Sequence, residues 1–394
     1  MAVARYRRSY ISMSRSYIRD RLGEIYAGGT TRVPFTYEDL ESAAQSEIDG
    51  SEFEHIANGA GTNDTLAANR AAFRRRAIVP RVLRGAEQRD LGITLFGAEQ
   101  AAPIAIAPMS FSYVHDNGEL AAAEAAAELG IPMVLNTIAS VSMEDLVEQV
   151  PNLIPWFQLY WSEQWDLTAS LVERAESAGY GAIFLTVDAP VLRWAPGDFE
   201  TTPLESDTHR PNFFEDPVFR SALETAPEED PEAAMDHLQR TIIDGTVTWN
   251  DLEFLRDNTS LPIVLKGILD PADAEKAVDC DVDGIVVSNH GGRQIDGEIA
   301  ALDALPPIVD AVGNDIPVLF DSGVRTGADI FKALALGADT VLIGRPLLYG
   351  LAVGGREGAR EVLLNMVAEF DSILGMTGHE TVQEIDPDRI RTVP

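Results

Sequence analysis

Between about residue 100 and residue 350, short apolar runs alternate with alanine-rich stretches of helical spacing, and this alternation constrains the fold more than any other feature. Parallel strands wrapped by helices satisfy it. The runs are Ile104 to Ala107, Met133 to Asn136, Trp156 to Trp161, Ile183 to Val187, Ile263 to Lys266, Gly284 to Ser288, Val318 to Asp321 and Thr340 to Gly344. Intervening segments such as Glu119 to Leu129 and Asp329 to Leu336 space their apolar residues as amphipathic helices do on a barrel exterior. Eight such units in roughly 250 residues predict an α/β fold, the TIM (β/α)8 barrel. A doubly wound sheet would place G-x-G-x-x-G after an early strand, and no such fingerprint follows one here.

The rest of the chain is organised around that barrel. Residues 1–33 read as a basic leader in which Arg5, Arg7, Arg8, Arg15, Arg19 and Arg21 alternate with Ser and Tyr, expected to be disordered or partly ordered. It lacks the apolar centre of a signal peptide, and no run anywhere approaches the ~20 apolar residues of a membrane span. Residues 34–394 are expected to form one domain, with an N-terminal helical extension, the barrel at about 100–350 and a C-terminal helical segment at 355–394. About seventy residues separate Asp188 from Ile263, where a compact barrel needs one helix and short loops. The resulting insertion after the fourth strand, about 195–255, contains Pro203, Pro211, Pro217, Pro227, Pro231 and the acid run Glu228-Glu229-Asp230. Its expected role is a lid over the barrel mouth or an oligomer contact.

Charge narrows the partners. With 63 acidic against 30 basic side chains, the formal net charge is −33, and lysine occurs only at 266, 276 and 332. Such a surface repels nucleic acid and anionic membranes. It resembles proteins of salt-accumulating cytoplasms, where cations screen self-repulsion, so a cytoplasmic, halophilic protein is expected. The lone Cys280 rules out an internal disulfide.

Barrel enzymes build their sites at the carboxyl ends of the strands, and here those ends are polar almost throughout. In strand order they offer Met109 and Ser110, Asn136 and Thr137, Gln158 and Tyr160, Thr186 and Asp188, Lys266, His290 with Arg293, Asp321 with Arg325, and Gly344 with Arg345. Each alone could be a cap or loop residue; together they read as one pocket. In Ser288-Asn-His-Gly-Gly-Arg-Gln294, a base at His290 stands beside an anion clamp at Arg293. Imidazole titrates near neutrality and guanidinium grips a carboxylate through paired hydrogen bonds, a pairing suited to deprotonating a small acid. The segments Asp321-Ser-Gly-Val-Arg325-Thr-Gly327 and Ile343-Gly-Arg-Pro346 put glycines and arginines where barrels bind phosphate. The phosphorylated ligand could be substrate or cofactor. Removing hydrogen from a hydroxy acid needs an electron acceptor, and with neither metal-ligand spacing nor a dinucleotide fingerprint, flavin mononucleotide (FMN) is the economical one.

From about residue 34 onward the chain resembles the FMN-dependent α-hydroxy acid oxidases and dehydrogenases. The likeness is carried by Asn58-Gly-Ala60 ahead of Thr65-Leu66, Ile106-Ala-Pro108, Phe157-Gln-Leu-Tyr160, Leu185-Thr-Val-Asp188, Val264-Leu-Lys-Gly267, the His290 motif, Phe331-Lys-Ala-Leu-Ala-Leu-Gly337 and Ile343-Gly-Arg-Pro346. The resemblance implies that His290 is the base, Asp188 stabilises its imidazolium, Arg293 clamps the carboxylate and Tyr160 reaches the substrate hydroxyl. It implies that Lys266 offsets negative charge on the reduced ring, with Gln158, Thr186 and Asn136 hydrogen-bonding the flavin, Pro108, Met109 and Ser110 lining its face, and Ser288 touching its lower portion. Gly323, Arg325, Gly344 and Arg345 would hold the phosphate and Asp321 the ribityl chain. The implied partners are a 2-hydroxy acid, oxygen or another electron acceptor, and further copies of the chain in a tetramer or octamer.

Within the family, Glu24-Ile-Tyr26, Trp156-Phe-Gln-Leu-Tyr-Trp161 and Asp216-Pro-Val-Phe219 are similar to lactate 2-monooxygenases. Departures gather at the carboxylate end. His55 stands where the family has a tyrosine and Asn136 where many relatives have serine or threonine, while Ala195 occupies the place of a second arginine. Arg193 could replace that arginine only through a rearranged loop. Ile138 replaces the tryptophan of plant glycolate oxidases, leaving room for lactate or a longer acid. The expected activity is oxidation of an L-2-hydroxy acid to the 2-keto acid, with oxidative decarboxylation as its sharper form; the alternatives are a plain oxidase, a quinone-linked dehydrogenase, or an impaired FMN-binding barrel.

Overall fold

The computed structural model describes residues 17–29, 31–85, 87–196 and 210–394. At its centre eight parallel strands close into a barrel: β1 (Ile104–Ile106), β2 (Pro132–Leu135), β3 (Ile154–Leu159), β4 (Ile183–Thr186), β5 (Ile263–Ile268), β6 (Gly284–Val287), β7 (Val318–Phe320) and β8 (Thr340–Ile343). Neighbours pair in chain order, and β8 closes on β1 with Val341 opposite Ile104 and Ile343 opposite Ile106. Every apolar run read from the sequence is a barrel strand, because a strand buried on both faces has no polar alternation to hide it.

Strand parity then builds the site. Ala105, Val134, Trp156, Phe184, Val264, Val286, Leu319 and Leu342 form one apolar cluster inside the barrel. Side chains two residues on point the same way, so the next layer toward the carboxyl ends comprises Ala107, Asn136, Gln158, Thr186, Lys266, Ser288, Asp321 and Gly344. The lower end is stoppered by a hairpin of Ile93–Leu95 and Ala98–Gln100. At its turn the Phe96 ring meets Trp156 and Phe184 edge-on, at 5.6 and 6.2 Å between centroids. The barrel is thus packed below and open only above.

The N-terminal extension forms helices Tyr37–Glu47, Gly50–Ala57 and Asp64–Arg74. From the leader, a helix at Tyr17–Tyr26 packs on the long helix Arg345–Thr377, with Arg21 Nε donating to Asn365 Oδ1 at 2.8 Å and Ile18 N to Asp371 Oδ2 at 3.3 Å. Arg5, Arg7, Arg8 and Arg15 lie outside the described residues. The C-terminal segment departs from the all-helical expectation. Its helix already begins at Arg345, kinks at Gly355 (φ 57°), and is followed by a strand, Ile390–Thr392, antiparallel to Arg76–Ile78.

The described part of the insertion is built from short helices. Pro211, Pro217 and Pro231 start helices Pro211–Phe214, Pro217–Ser221 and Pro231–Thr241, a position where the missing N–H costs nothing. Phe213, Phe214 and Phe219 bury in the main core, and Asn212 bridges Met143 N (2.8 Å) and Thr137 O (3.1 Å). Three buried phenylalanines demand a core, and they dock this part of the insertion against it. Pro203 and the rest of 197–209 lie outside the described residues.

Candidate active site

A cavity of about 310 Å³ opens at the carboxyl ends of the strands. His290 is displayed there by a turn with an unusual backbone, its φ of 56° lying in the left-handed region. Two hydroxyls hold that turn: Ser288 Oγ accepts from His290 N (3.0 Å), and Ser322 Oγ accepts from Asn289 N (3.2 Å) and Gly291 N (3.0 Å). Both donate in turn to Asp321 Oδ1, at 2.6 and 2.7 Å. His290 Nδ1 lies 2.9 Å from Asp188 Oδ1. A carboxylate at Nδ1 keeps the proton there, so Nε2 is left with the lone pair.

The local charges settle the protonation states. Burial pushes the His290 imidazole below its ordinary pKa, and the charges of Lys266 and Arg293 act the same way against the opposing pull of Asp188. His290 is therefore neutral at pH 7. Burial alone would raise Asp188, but its pairing with the His290 ring and the charge of Lys266 outweigh it and hold the carboxyl below its usual range. Lys266 is buried too, yet Asp321 and Asp188 raise its pKa and keep it charged. Its Nζ sits 3.4 Å from Asp321 Oδ2 and donates to Ser288 Oγ at 3.2 Å. A base, its carboxylate and a fixed cation thus share one wall.

Opposite them lies an anion-binding end. The helix Gly50–Ala57 ends with carbonyls that no later turn can satisfy, and two arginines take them up. Arg293 Nη1 donates to His55 O (2.5 Å) and Asn58 O (3.3 Å), while Nη2 stands 3.2 Å from His55 Nε2. Arg345 donates to Ile56 O (2.7 Å), Gly291 O (3.1 Å) and Asn58 O (3.0 Å). His55 and Arg293, expected as neighbours from sequence, are in contact. Tyr160 and Arg193 complete this wall, and Ala195 is buried away from it. Burial raises the Tyr160 phenol, so it is a neutral donor at pH 7. Tyr113, which meets the His55 ring edge-on at 5.2 Å between centroids, was not singled out from sequence. Only its place just past the end of β1 could have suggested it.

Beyond the arginine of the clamp, Gly323 (φ 85°) and Gly344 border the cavity with Arg325 and Arg345. A Cβ on Gly323 would come within 3.0 Å of Asn69 Cβ. Burial, reinforced by the charge of Arg325, brings Arg345 down to about 10. The Arg325 guanidinium lies over the Tyr37 ring at 4.6 Å, and its buried Nε has no hydrogen-bond partner among the described residues. Two buried like charges and an orphaned donor beside glycines fit a phosphate.

The flavin-contacting set divides. Pro108, Met109, Ser110, Asn136, Lys266 and Asp321 line the cavity. Asn136 is held by Ser110 Oγ (3.1 Å) and Ile138 N (3.0 Å). Gln158 and Thr186, expected to hydrogen-bond the ring, bond each other within the same layer: Gln158 Nε2 donates to Thr186 Oγ1 at 3.0 Å, and Gln158 Oε1 accepts from Thr137 N at 3.2 Å. Ser288 and Asp188 act from behind the wall, through His290 and Lys266.

The comparisons agree with this geometry. A family model described as FMN-dependent dehydrogenase matches residues 44–392. An L-lactate oxidase of Lysinibacillus sphaericus (strain C3-41) is 42% identical over 353 residues, covering 89% of this chain and 91% of that protein. The 2-hydroxyacid oxidase 1 of Homo sapiens is 39% identical over 359 residues, covering 90% and 96%. Among solved structures, a mandelate oxidase with (S)-4-hydroxymandelic acid has a TM-score of 0.81 at 39% identity, covering 91% of this chain and 98% of that one.

Proposed function

The chain belongs to the FMN-dependent dehydrogenase family, oxidising an L-2-hydroxy acid with FMN, and from that premise we propose how its residues divide the work and which acid they take. FMN, when bound, supplies an acceptor for two electrons. Arg293 binds the substrate carboxylate, positioned by the His55 ring and carbonyl. Tyr160 donates to the substrate hydroxyl. His290 Nε2 takes the substrate proton, and Asp188 holds the resulting imidazolium at Nδ1. Lys266 would supply positive charge to offset that of the reduced cofactor, and Gly323, Arg325, Gly344 and Arg345 would hold its phosphate.

The observation that carries this reading is His290 with its Nδ1 2.9 Å from Asp188 Oδ1 and its ring facing the same cavity as Arg293. Ile138 on the cavity wall leaves space beyond the α-carbon, which favours L-lactate or a somewhat longer acid. The test is anaerobic mixing of the yellow protein with L-lactate and a series of longer and aromatic L-2-hydroxy acids. Bleaching by lactate is expected, and no bleaching by any acid would sink the reading. His290→Ala should remain yellow and fail to bleach. In air, acetate would mark retention of the keto acid through oxidative decarboxylation, pyruvate with peroxide a plain oxidase, and neither without an added quinone a dehydrogenase. We further propose a cytoplasmic homo-oligomer, a tetramer or octamer, adapted to high salt. Among the described residues no helix is long and apolar enough to cross a membrane.

A further inference from the structure

Among the described residues the cavity wall carries two phenols, and the reaction above uses only Tyr160. The other, Tyr113, is delivered by the loop after β1. Phe111 anchors that loop: its ring is fully buried, its N–H donates to the buried Glu119 Oε1 at 3.2 Å, and its carbonyl accepts from Val114 N (3.1 Å) and His115 N (3.2 Å). Glu119 Oε2 also accepts from Ser140 Oγ at 2.6 Å, so the loops after β1 and β2 are fastened to one carboxylate. Tyr113, two residues past the anchor, is held at the mouth by that turn.

The Tyr113 ring meets the His55 ring edge-on at 5.2 Å between centroids, and His55 Nε2 stands 3.2 Å from Arg293 Nη2. Tyr113 therefore lies on the anion-binding side, one ring removed from the clamp. Donors there are already partly spent. Arg293 Nη1 bonds the His55 and Asn58 carbonyls. A guanidinium has donors only, so the His55 nitrogen facing it is an acceptor and brings no N–H of its own to an incoming carboxylate. A carboxylate has two oxygens to satisfy, and leaving one short in a site closed to water is costly. Burial raises the Tyr113 phenol against the pull of Arg210, Arg293, the Ser110 hydroxyl and Arg193, so the phenol keeps its proton at pH 7.

We propose that Tyr113 is a further substrate-binding residue: its O–H donates to the carboxylate that Arg293 clamps, on the side where the His55 ring supplies no donor. The proposal rests on a 2-hydroxy acid being held at Arg293. It also separates the two phenols. Tyr160 answers first to the charges of Asp188 and Lys266, on the side of the base, whereas the charges acting on Tyr113 are all arginines. One phenol serves the substrate hydroxyl and the other its carboxylate.

The test is Tyr113→Phe, which keeps the ring against His55 and removes only the hydroxyl. At pH 8 the concentration of L-lactate that half-saturates anaerobic flavin reduction should rise roughly ten- to a hundredfold, the cost of a lost hydrogen bond to a charged group, with flavin content and Tm as in the wild type. Titration with pyruvate, followed by the flavin absorbance, should weaken by the same factor, which reads carboxylate binding apart from the chemical step. The longest L-2-hydroxy acid that bleaches the wild type should suffer the same penalty as lactate, since the carboxylate is common to both. In an Arg293→Lys background the penalty of Tyr113→Phe should shrink, because both side chains hold one anion. Unchanged half-saturation and pyruvate binding overturn the proposal. So does a penalty confined to the longer acid, which assigns Tyr113 to the substrate's tail, or one undiminished in the Arg293→Lys background. Loss of flavin from Tyr113→Phe overturns it as well, by assigning the hydroxyl to the cofactor. Failure of the wild type to bleach with any acid would instead overturn the reading of the cavity as a hydroxy acid site.

Discussion

At the scale of single residues, the chemistry depends on a few electrostatic balances. His290 is kept neutral mainly by burial, and Asp188 is the group that opposes this. Asp188→Asn should therefore shift the acid limb of the reduction rate to lower pH and lower its plateau by about 10³- to 10⁴-fold, as expected when an imidazolium loses its carboxylate. For the wild type, a depressed imidazole pKa means the competent neutral form is complete above it, so kcat/KM should fall as pH drops below 6.5. A profile that rose toward acid would contradict a basic His290. Arg293→Lys keeps the charge but cannot reproduce the planar head whose Nη1 bonds the His55 and Asn58 carbonyls while Nη2 faces the His55 ring. Its expected signature is a KM raised by about tenfold or more with FMN content unchanged, measured by steady-state kinetics and flavin absorbance.

At the scale of elements, strand parity and loop geometry aim these residues. The apolar layer containing Trp156 fixes the level of the polar layer above it, and Trp156 is fully buried against Phe184 and Phe96. Trp156→Ala should cost about 3–5 kcal/mol in denaturant unfolding by opening a cavity. The loop after β7 is tuned differently. Gly323 has φ of 85° and faces Asn69, so Gly323→Ala should strain the turn and weaken FMN binding, visible as flavin lost on dialysis. Retention of flavin as tight as in the wild type would mean that this turn is not part of the phosphate cradle. The helix Gly50–Ala57 works through its end: its terminal carbonyls orient Arg293 and Arg345, so an ordinary helix terminus becomes the scaffold of the anion-binding side.

At the scale of the whole molecule, a formal charge of −33 repels itself. Raising salt from about 0.1 to 1 M shortens the screening length from about 10 to 3 Å, so Tm should climb with KCl concentration. A flat or falling Tm would argue against adaptation to high salt. The barrel and the polar ends of its strands were legible in the sequence because period, burial and parity are local properties, and a two-faced buried strand shows itself as a short apolar run. The same locality let His290, Arg293 and Lys266 be read from their own strand ends. What the sequence could not show were contacts made by chain closure. Ile56 meets Arg345 across 289 positions, and only the folded barrel brings them together. Tyr113 on the cavity wall, the insertion docked by its phenylalanines and Gln158 turned to Thr186 belong to the same class. Their roles depend on which groups are left buried without partners, and that is decided by the packing of the whole chain rather than by any stretch of it.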